Sequence, residues 1–342
     1  MPSPLDWLES LSPWPEEFGL GRMHALLAEL GQPQRDFRAI HVVGTNGKST
    51  ATRRAAAFLL REGLSVGAYT SPHVTGWRER IQVDGEDADL EQALRRVRPA
   101  AERAGATQFE VLTAAALAEF AAAGVEAAVV EAGLGGRLDA TNVLGADVVA
   151  LTNVALDHTD VLGEPEWASR ARARGAGRVV VAEDVGRAAA GAFLGRSLEG
   201  EVEASLPGRF DEVGDDVFAG AHNPAGVEWL LKRLPRDDYV IVASILEDKD
   251  AEAMLAALAP AGDTLVATAS RSARALPSET LAARARPFFD RVEPVADPVA
   301  ALERGRELAG EHGAVLVTGS LYLLADLTVR RQRVPWGSSA SV

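Results

Sequence analysis

The most chemically legible stretch of the chain is Gly44-Thr45-Asn46-Gly47-Lys48-Ser49-Thr50, which follows an apolar run ending at Val43 and opens a helix-period segment from Ser49 to Arg61. A glycine-rich turn between a strand and a helix N-terminus aims backbone N–H groups and the positive end of the helix dipole at a bound phosphate. Lys48 adds a point charge that can reach terminal phosphates, and the hydroxyl of Ser49 or Thr50 can meet a metal ion or a phosphate oxygen. The plain alternative is a strand-to-helix turn with a solvent-exposed lysine. The loop is shorter than the common G-x-x-x-x-G-K-[ST] form.

Three further loops carry groups suited to the same chemistry. The run Ala127 to Glu131 opens into Ala132-Gly133-Leu134-Gly135-Gly136-Arg137-Leu138-Asp139-Ala140-Thr141-Asn142, and Val148 to Thr152 leads into Asn153-Val154-Ala155-Leu156-Asp157-His158-Thr159. In an open α/β sheet the ligand crevice lies at the carboxyl ends of the strands, so Glu131 and His158 are expected at one edge with the phosphate loop. A carboxylate there is a natural ligand for the Mg²⁺ that accompanies ATP. His158 taken alone also reads as a loop histidine satisfied by backbone. Val66 to Tyr69 ends in Thr70-Ser71-Pro72-His73, where the proline stops the strand and holds Ser71 at the same edge. Further on, Gly220-Ala221-His222-Asn223-Pro224 places Asn223 at a helix start, as a functional residue or as an N-cap alone.

The elements that must position these groups follow from hydrophobic rhythm. Short β-rich runs alternate with helix-period segments, the pattern of a mainly parallel sheet. Strands are expected at 39–43, 66–69, 127–131, 148–152 and 179–182, and helices at 49–61, 90–104 and 109–123. Ile81 to Asp87 carries Asp-Gly between alternating residues and reads as a hairpin. Pro207-Gly208 breaks the pattern, and a second α/β series follows. Its strands are expected at 239–243, 264–268 and 314–318, and its helices at 224–234, 251–258, 278–285 and 298–309. The expected division is an ATP-binding domain over 1–206, a smaller Rossmann-like α/β domain over 207–330, and an unstructured tail over 331–342.

Composition limits the functions available. With 342 residues, 47% apolar and 25% charged, the chain is long enough for two cores. Its net charge of −14 argues against a general nucleic-acid binder or a membrane-surface protein, so an anionic ligand needs a local site. No cysteine is present, which excludes thiolate catalysis and zinc-thiolate or iron–sulfur centres. Neither a signal-type N-terminus nor an uncharged apolar run of spanning length is visible, and a cytoplasmic location is the expectation. Basic positions are almost all arginine; the three lysines are Lys48, Lys232 and Lys249, and the four asparagines are Asn46, Asn142, Asn153 and Asn223.

Taken in order, the motifs resemble the folylpolyglutamate synthase and dihydrofolate synthase ligases, within the Mur-type amide-forming ligases. FGLGRM at 18–23, GTNGKST at 44–50, YTSPHV at 69–74, RERIQVDG at 78–85 and FEVLTAAAL at 109–117 carry the resemblance, as do EAGLGGRLDATN at 131–142 and LTNVALDHTDVLG at 151–163. PGRF at 207–210, GAHNP at 220–224, LEDKD at 246–250 and VTGSLYLL at 317–324 complete it. The resemblance implies an ATP-dependent ligase that adds L-glutamate to dihydropteroate or a folate through an acyl phosphate, acting as a monomer on small molecules. It implies that Asn46, Gly47, Lys48 and Ser49 cradle the ATP phosphates with Thr50 nearby, and that Arg209 reaches ATP. By the same resemblance Ser71 and Glu131 hold one Mg²⁺ and His158 a second, with Lys48, Glu131 and His158 the catalytic set. Phe18, Gly19, Phe109, Leu138, Asp139 and Ala140 would line a pterin pocket.

The chain departs from the family pattern in three places. Ala219 stands where the family usually has an aspartate before GAHNP. The segment Ser169 to Gly177 is arginine-rich where the family places a lysine modified to a carbamate, which an arginine cannot form. The stretch from His158 to Pro207 is short, and the adenine-contacting asparagine segment is not recognisable. These departures leave two alternatives open: a nucleotide- or pteridine-binding relative with reduced or lost ligase activity, or a Mur-type ligase with another substrate pair.

Overall fold

The computed structural model describes residues 2–15, 17–153, 178–204 and 206–331. Two compact units result, one from residues 1–72 and 77–206, the other from 73–76 and 207–342. The second unit thus includes a four-residue excursion that follows Pro72, which no sequence break announces.

Among the described residues the first unit holds seven strands: β1 (Arg38–Val43), β2 (Val66–Tyr69), β3 (Ile81–Val83), β4 (Glu86–Asp87), β5 (Ala127–Glu131), β6 (Val148–Leu151) and β7 (Arg178–Val180). They form one sheet in the order β4-β3-β2-β5-β1-β6-β7. β2, β5, β1, β6 and β7 are parallel, and β3 and β4 add an antiparallel edge. Parallel strands covered on both faces need apolar residues at every position, and β5 is buried along its whole length. Ile40 and Val42 of β1 pack with Ala51, Ala55, Phe58 and Leu59 of the helix Lys48–Arg61 and with the helix Val185–Leu194. Ala39, on the opposite face, joins the cluster built by the helices Leu90–Ala104 and Gln108–Ala123. β2 carries Gly67 because a Cβ there would lie 2.4 Å from the Phe120 ring. The Asp-Gly turn of the hairpin has φ 51° at Asp84 and 87° at Gly85, the left-handed pair that such a turn requires.

The second unit repeats the plan. β8 (Asp211–Val213), β9 (Asp216–Phe218), β10 (Tyr239–Ala243), β11 (Thr264–Ala267), β12 (Arg291–Pro294) and β13 (Ala314–Thr318) lie in the order β12-β11-β10-β13-β9-β8. Among the described strands of this unit, the β8–β9 pair alone is antiparallel. One face packs Ile241, Leu265 and Leu316 against the helices Pro224–Leu231, Ala251–Leu258 and Ser278–Ala285. On the other, Val240, Val242 and Val315 meet Ala301 and Leu302 of the helix Pro298–Ala309, and the cluster extends to Val74.

Most expected elements lie within one or two residues of those found. The helix expected to reach Leu234 stops at Leu231, with Lys232 as its C-cap. β8, β9 and β12 escaped the sequence reading because they are short, and β12 is an edge strand bearing Arg291 and Glu293, whose charges mask the pattern. A helix runs from Leu321 to Arg331, so Arg331, the first residue of the expected unstructured tail, is helical, and the rest of that tail lies outside the described residues. No helix among the described residues is long and apolar enough to cross a membrane.

Candidate active site

β1 delivers its chain directly into the phosphate loop. Gly44 has φ 142°, and a Cβ on it would fall 2.0 Å from Thr152 Oγ1, so only glycine lets the loop pass the end of β6 this closely. Gly47 takes the left-handed conformation at φ 79° and caps the helix Lys48–Arg61. The loop is tied to the segment after β6: Thr45 N donates to Asn153 O at 3.0 Å, and Asn46 N to Asn153 Oδ1 at 2.9 Å. Lys48 Nζ donates back to the carbonyls of Gly44 (3.0 Å) and Thr45 (3.1 Å), which sets the ammonium over the loop. Thr50 follows in the first turn of the helix.

Glu131 links this loop to the end of β2. Its carboxylate is buried at 2% exposure; Oε1 accepts from Ser49 Oγ at 2.9 Å and Oε2 from the Ser71 N–H at 2.9 Å. The Ser71–Pro72 peptide is cis. Serine hydroxyl and carboxylate oxygens are hard donors, and Mg²⁺ in nucleotide sites takes one or two protein oxygens with phosphates and waters completing its shell. The donor set therefore fits Mg²⁺, although no group of three His, Cys, Asp or Glu side chains is placed to hold a metal ion among the described residues. His158 and the arginine-rich segment lie outside the described residues.

Sequence reasoning passed over Arg53, one and a half turns after Lys48. It is buried, and its Nη2 donates to Thr70 Oγ1 at 3.2 Å and to the carbonyl of Glu79. Burial pulls this guanidinium down from its ordinary range, while Asp87, Glu79 and Glu131 pull it back. One helix thus carries the phosphate loop at its start and grips the end of β2 further along. An arginine in the middle of an apolar helix face was the available signal.

The glycine-rich loop after β5 lies against Phe109, one of the two aromatic residues of the pocket expectation. A Cβ on Gly133 would come within 2.5 Å of the Phe109 ring, and Phe109 sits 6.2 Å from Tyr69 between ring centroids. Phe18 and Leu138 are exposed, and Ala140 is buried. Phe18 pairs with Trp14 at 6.4 Å, and Arg22, just beyond Gly19, bridges to Glu110 at 3.1 Å in the first turn of Phe109's helix. Asp139 is not an open side chain. It is buried and accepts from Leu134 N (2.7 Å), Thr141 N (3.0 Å) and Thr141 Oγ1. Burial pushes its carboxyl up from the usual range, against those donors and Lys48. Thr141 in turn meets His41 Nε2 at 2.8 Å, and burial holds the His41 imidazole down at about 4.

Within the second unit, Gly208 has φ 73° and its carbonyl accepts from Gly220 N at 2.9 Å, so the loop that bears Arg209 is stitched to GAHNP. Asn223 is the N-cap, accepting from Gly226 N at 2.8 Å. His222 Nδ1 lies 3.0 Å from Gly220 O. Ala219 is buried and donates its N–H to Val317 O. Lys249 is buried beside Asp248, which also pairs with Arg274 at 3.0 Å.

Comparison with known proteins gives this geometry a lineage. The Mur ligase glutamate ligase domain matches residues 208–321. The dihydrofolate synthase/folylpolyglutamate synthase of Mycobacterium tuberculosis is 32% identical, over 82% of this chain and 81% of that protein. The chain belongs to the folylpolyglutamate/dihydrofolate synthase family of Mur ligases. The Escherichia coli member is 30% identical over 74% of this chain and 78% of its own length. Among solved structures of the family, M. tuberculosis folylpolyglutamate synthase complexed with ADP superposes with a TM-score of 0.88 at 28% identity, covering 98% of this chain and 99% of that one. E. coli FolC in complex with DHPP and ADP gives 0.82 at 26% identity, over 97% and 100%. The fold is thus that of the family, a parallel-sheet phosphate-loop unit and a second α/β unit. The match to the M. tuberculosis member runs over 393 residues, more than the 342 of this whole chain, so that relative carries residues with no counterpart here.

Proposed function

We propose that the protein is an ATP-dependent carboxylate–amine ligase that adds L-glutamate to dihydropteroate, to a folate, or to both. The observation that carries the reading is the Ser49–Glu131–Ser71 linkage under the phosphate loop, in a chain of this family. A carboxylate is a poor acyl donor at neutral pH. In this reading an oxygen of the substrate carboxylate attacks the γ-phosphorus, the bond to the ADP oxygen breaks, and an acyl phosphate forms. The α-amine of glutamate then attacks the acyl carbon, phosphate leaves and the amine loses a proton. No enzyme nucleophile is required, and catalysis rests on positioning and on charge at the transferring phosphoryl group.

Asn46, Gly47, Lys48, Ser49 and Thr50 would hold the phosphates in this scheme, with Arg209 a further nucleotide contact. Ser71 and Glu131 would hold Mg²⁺, which when bound neutralises charge on the phosphates, and His158 would serve a second ion. Phe18, Gly19, Phe109, Leu138 and Ala140 would form the pteridine pocket around Asp139. We place the protein in the cytoplasm as a monomer acting on small molecules, with neither nucleic acid nor membrane as a partner. The test is ADP release from purified protein given Mg-ATP, L-glutamate and either dihydropteroate or tetrahydrofolate. ATP binding with no amide product from either pteridine sinks the ligase reading.

A second reading has its own support. Ala219, the arginines from Arg170 to Arg174 and the short stretch from His158 to Pro207 favour a nucleotide- or pteridine-binding relative with reduced turnover. Calorimetric binding of ATP without ADP release would select it. ADP release only with another acid and amine would instead select a Mur-type ligase with a different substrate pair.

A further inference from the structure

Three buried groups form a continuous chain that joins β1 to the loop that follows β5. His41 lies on β1 at 4% exposure, Thr141 is fully buried, and Asp139 is 6% exposed. His41 Nε2 stands 2.8 Å from Thr141 Oγ1, and that oxygen is hydrogen-bonded to Asp139 Oδ1. Asp139 also receives Thr141 N on Oδ1 and Leu134 N on Oδ2.

The direction of each bond follows from what each group can donate. An ionised carboxylate only accepts, so the single proton of the Thr141 hydroxyl goes to Asp139. The hydroxyl's lone pair then accepts from His41, which must carry its proton on Nε2. With an Asp139 proton the whole chain would reverse, and His41 Nε2 would become the terminal acceptor. A carboxylate has about four acceptor sites, and three are filled by Leu134 and Thr141. The last belongs to Oδ2. Held on both oxygens, Asp139 cannot turn about its side-chain bonds to follow a ligand.

We propose that His41 and Thr141 are positioning residues that lock Asp139 so that its remaining Oδ2 lone pair meets an N–H donor of the pteridine ring. This rests on the pteridine reading above and adds the residues that aim Asp139. Neither His41 nor Thr141 touches substrate in this arrangement; both act through the carboxylate.

The full-length protein tests it in two ways. In ¹⁵N-histidine spectra, with His41 assigned by His41→Gln, the expected state is the Nε2–H tautomer; a bare Nε2 overturns the relay. In calorimetry with dihydropteroate, Thr141→Val is expected to weaken binding about tenfold, Thr141→Ser to restore it, and Mg-ATP affinity to stay constant throughout. His41→Leu should weaken pteridine binding in the same direction, and it serves as the readout should Thr141→Val fail to fold. Dihydropteroate binding by the wild type that neither variant alters overturns the relay and leaves the ligase reading intact. Loss of Mg-ATP and dihydropteroate affinity in equal measure also overturns it, because that marks general damage. Absence of dihydropteroate binding by the wild type sinks the pteridine reading instead, and the substrate-positioning role with it.

Discussion

Lys48 and His41 show how differently a residue can be visible. Lys48 stands out in a chain with three lysines, and its place at the start of a helix after a glycine turn is what marks it as a proposed phosphate contact. Its ammonium sits over the Gly44 and Thr45 carbonyls. Lys48→Ala is therefore expected to lower ADP release at least about a hundredfold, the scale of losing one preorganised donor at a transferring phosphoryl group. Thermal unfolding should change little, and full turnover by this variant would remove Lys48 from the mechanism. His41 reads as one more member of an apolar strand, yet burial lowers it from 6.5 to about 4. The unfolded chain takes up a proton near pH 6.5 that the folded chain refuses until about pH 4, so stability is full above 6.5 and falls as pH drops through that window. Each tenfold drop in proton affinity on folding corresponds to about 1.4 kcal/mol, which makes the loss roughly 3 kcal/mol. His41→Gln should have a flatter thermal midpoint between pH 6.5 and pH 4; parallel curves for variant and wild type would refute this.

At the scale of elements, strong local patterns were readable and short edges were not. The helix Lys48–Arg61 announces itself through alanine, phenylalanine and leucine at three- and four-residue steps. The loop before it demands glycine for a reason no periodicity contains: Gly44 passes within van der Waals reach of Thr152 and of the Asn153 backbone. Gly44→Ala should displace the phosphate loop from the end of β6, weakening Mg-ATP binding by about tenfold or more through the lost turn geometry. Nucleotide calorimetry checks it, and unchanged affinity would show that the loop relaxes freely. β8, β9 and β12 went unread because three or four residues carry too little alternation to rise above their surroundings, and β8 and β12 are in addition charged edges.

For the whole molecule, the restart of the α/β rhythm after Pro207 was legible, since each unit repeats its own series of strands and helices. The four residues from His73 to Gly76 were not, because membership in a unit is decided by packing. Val74 is buried with Phe218, Leu321 and Leu324, and a Cβ on Gly208 would lie 3.2 Å from its side chain. Val74→Ala should destabilise the second unit by roughly 2 kcal/mol, the cost of two buried methyls and the space they leave. Chemical denaturation followed at Trp229 reads that unit, and an unchanged midpoint would sink the assignment.

Sequence by itself determined what contiguous residues control: the parallel α/β class, the phosphate loop, the capping of helices and the family motifs that point to ligation. These depend on neighbours three or four positions away. The site depends on other distances. Ser49 and Glu131 are 82 positions apart, Ser71 and Glu131 are 60, and His41 and Thr141 are 100. Only the strand order β2-β5-β1-β6 sets these partners side by side, because parallel pairing aligns the carboxyl ends of strands remote in the chain. Asp139 records the difference: its motif marked it as a pocket residue, and the fold spends three of its hydrogen bonds on holding the loop.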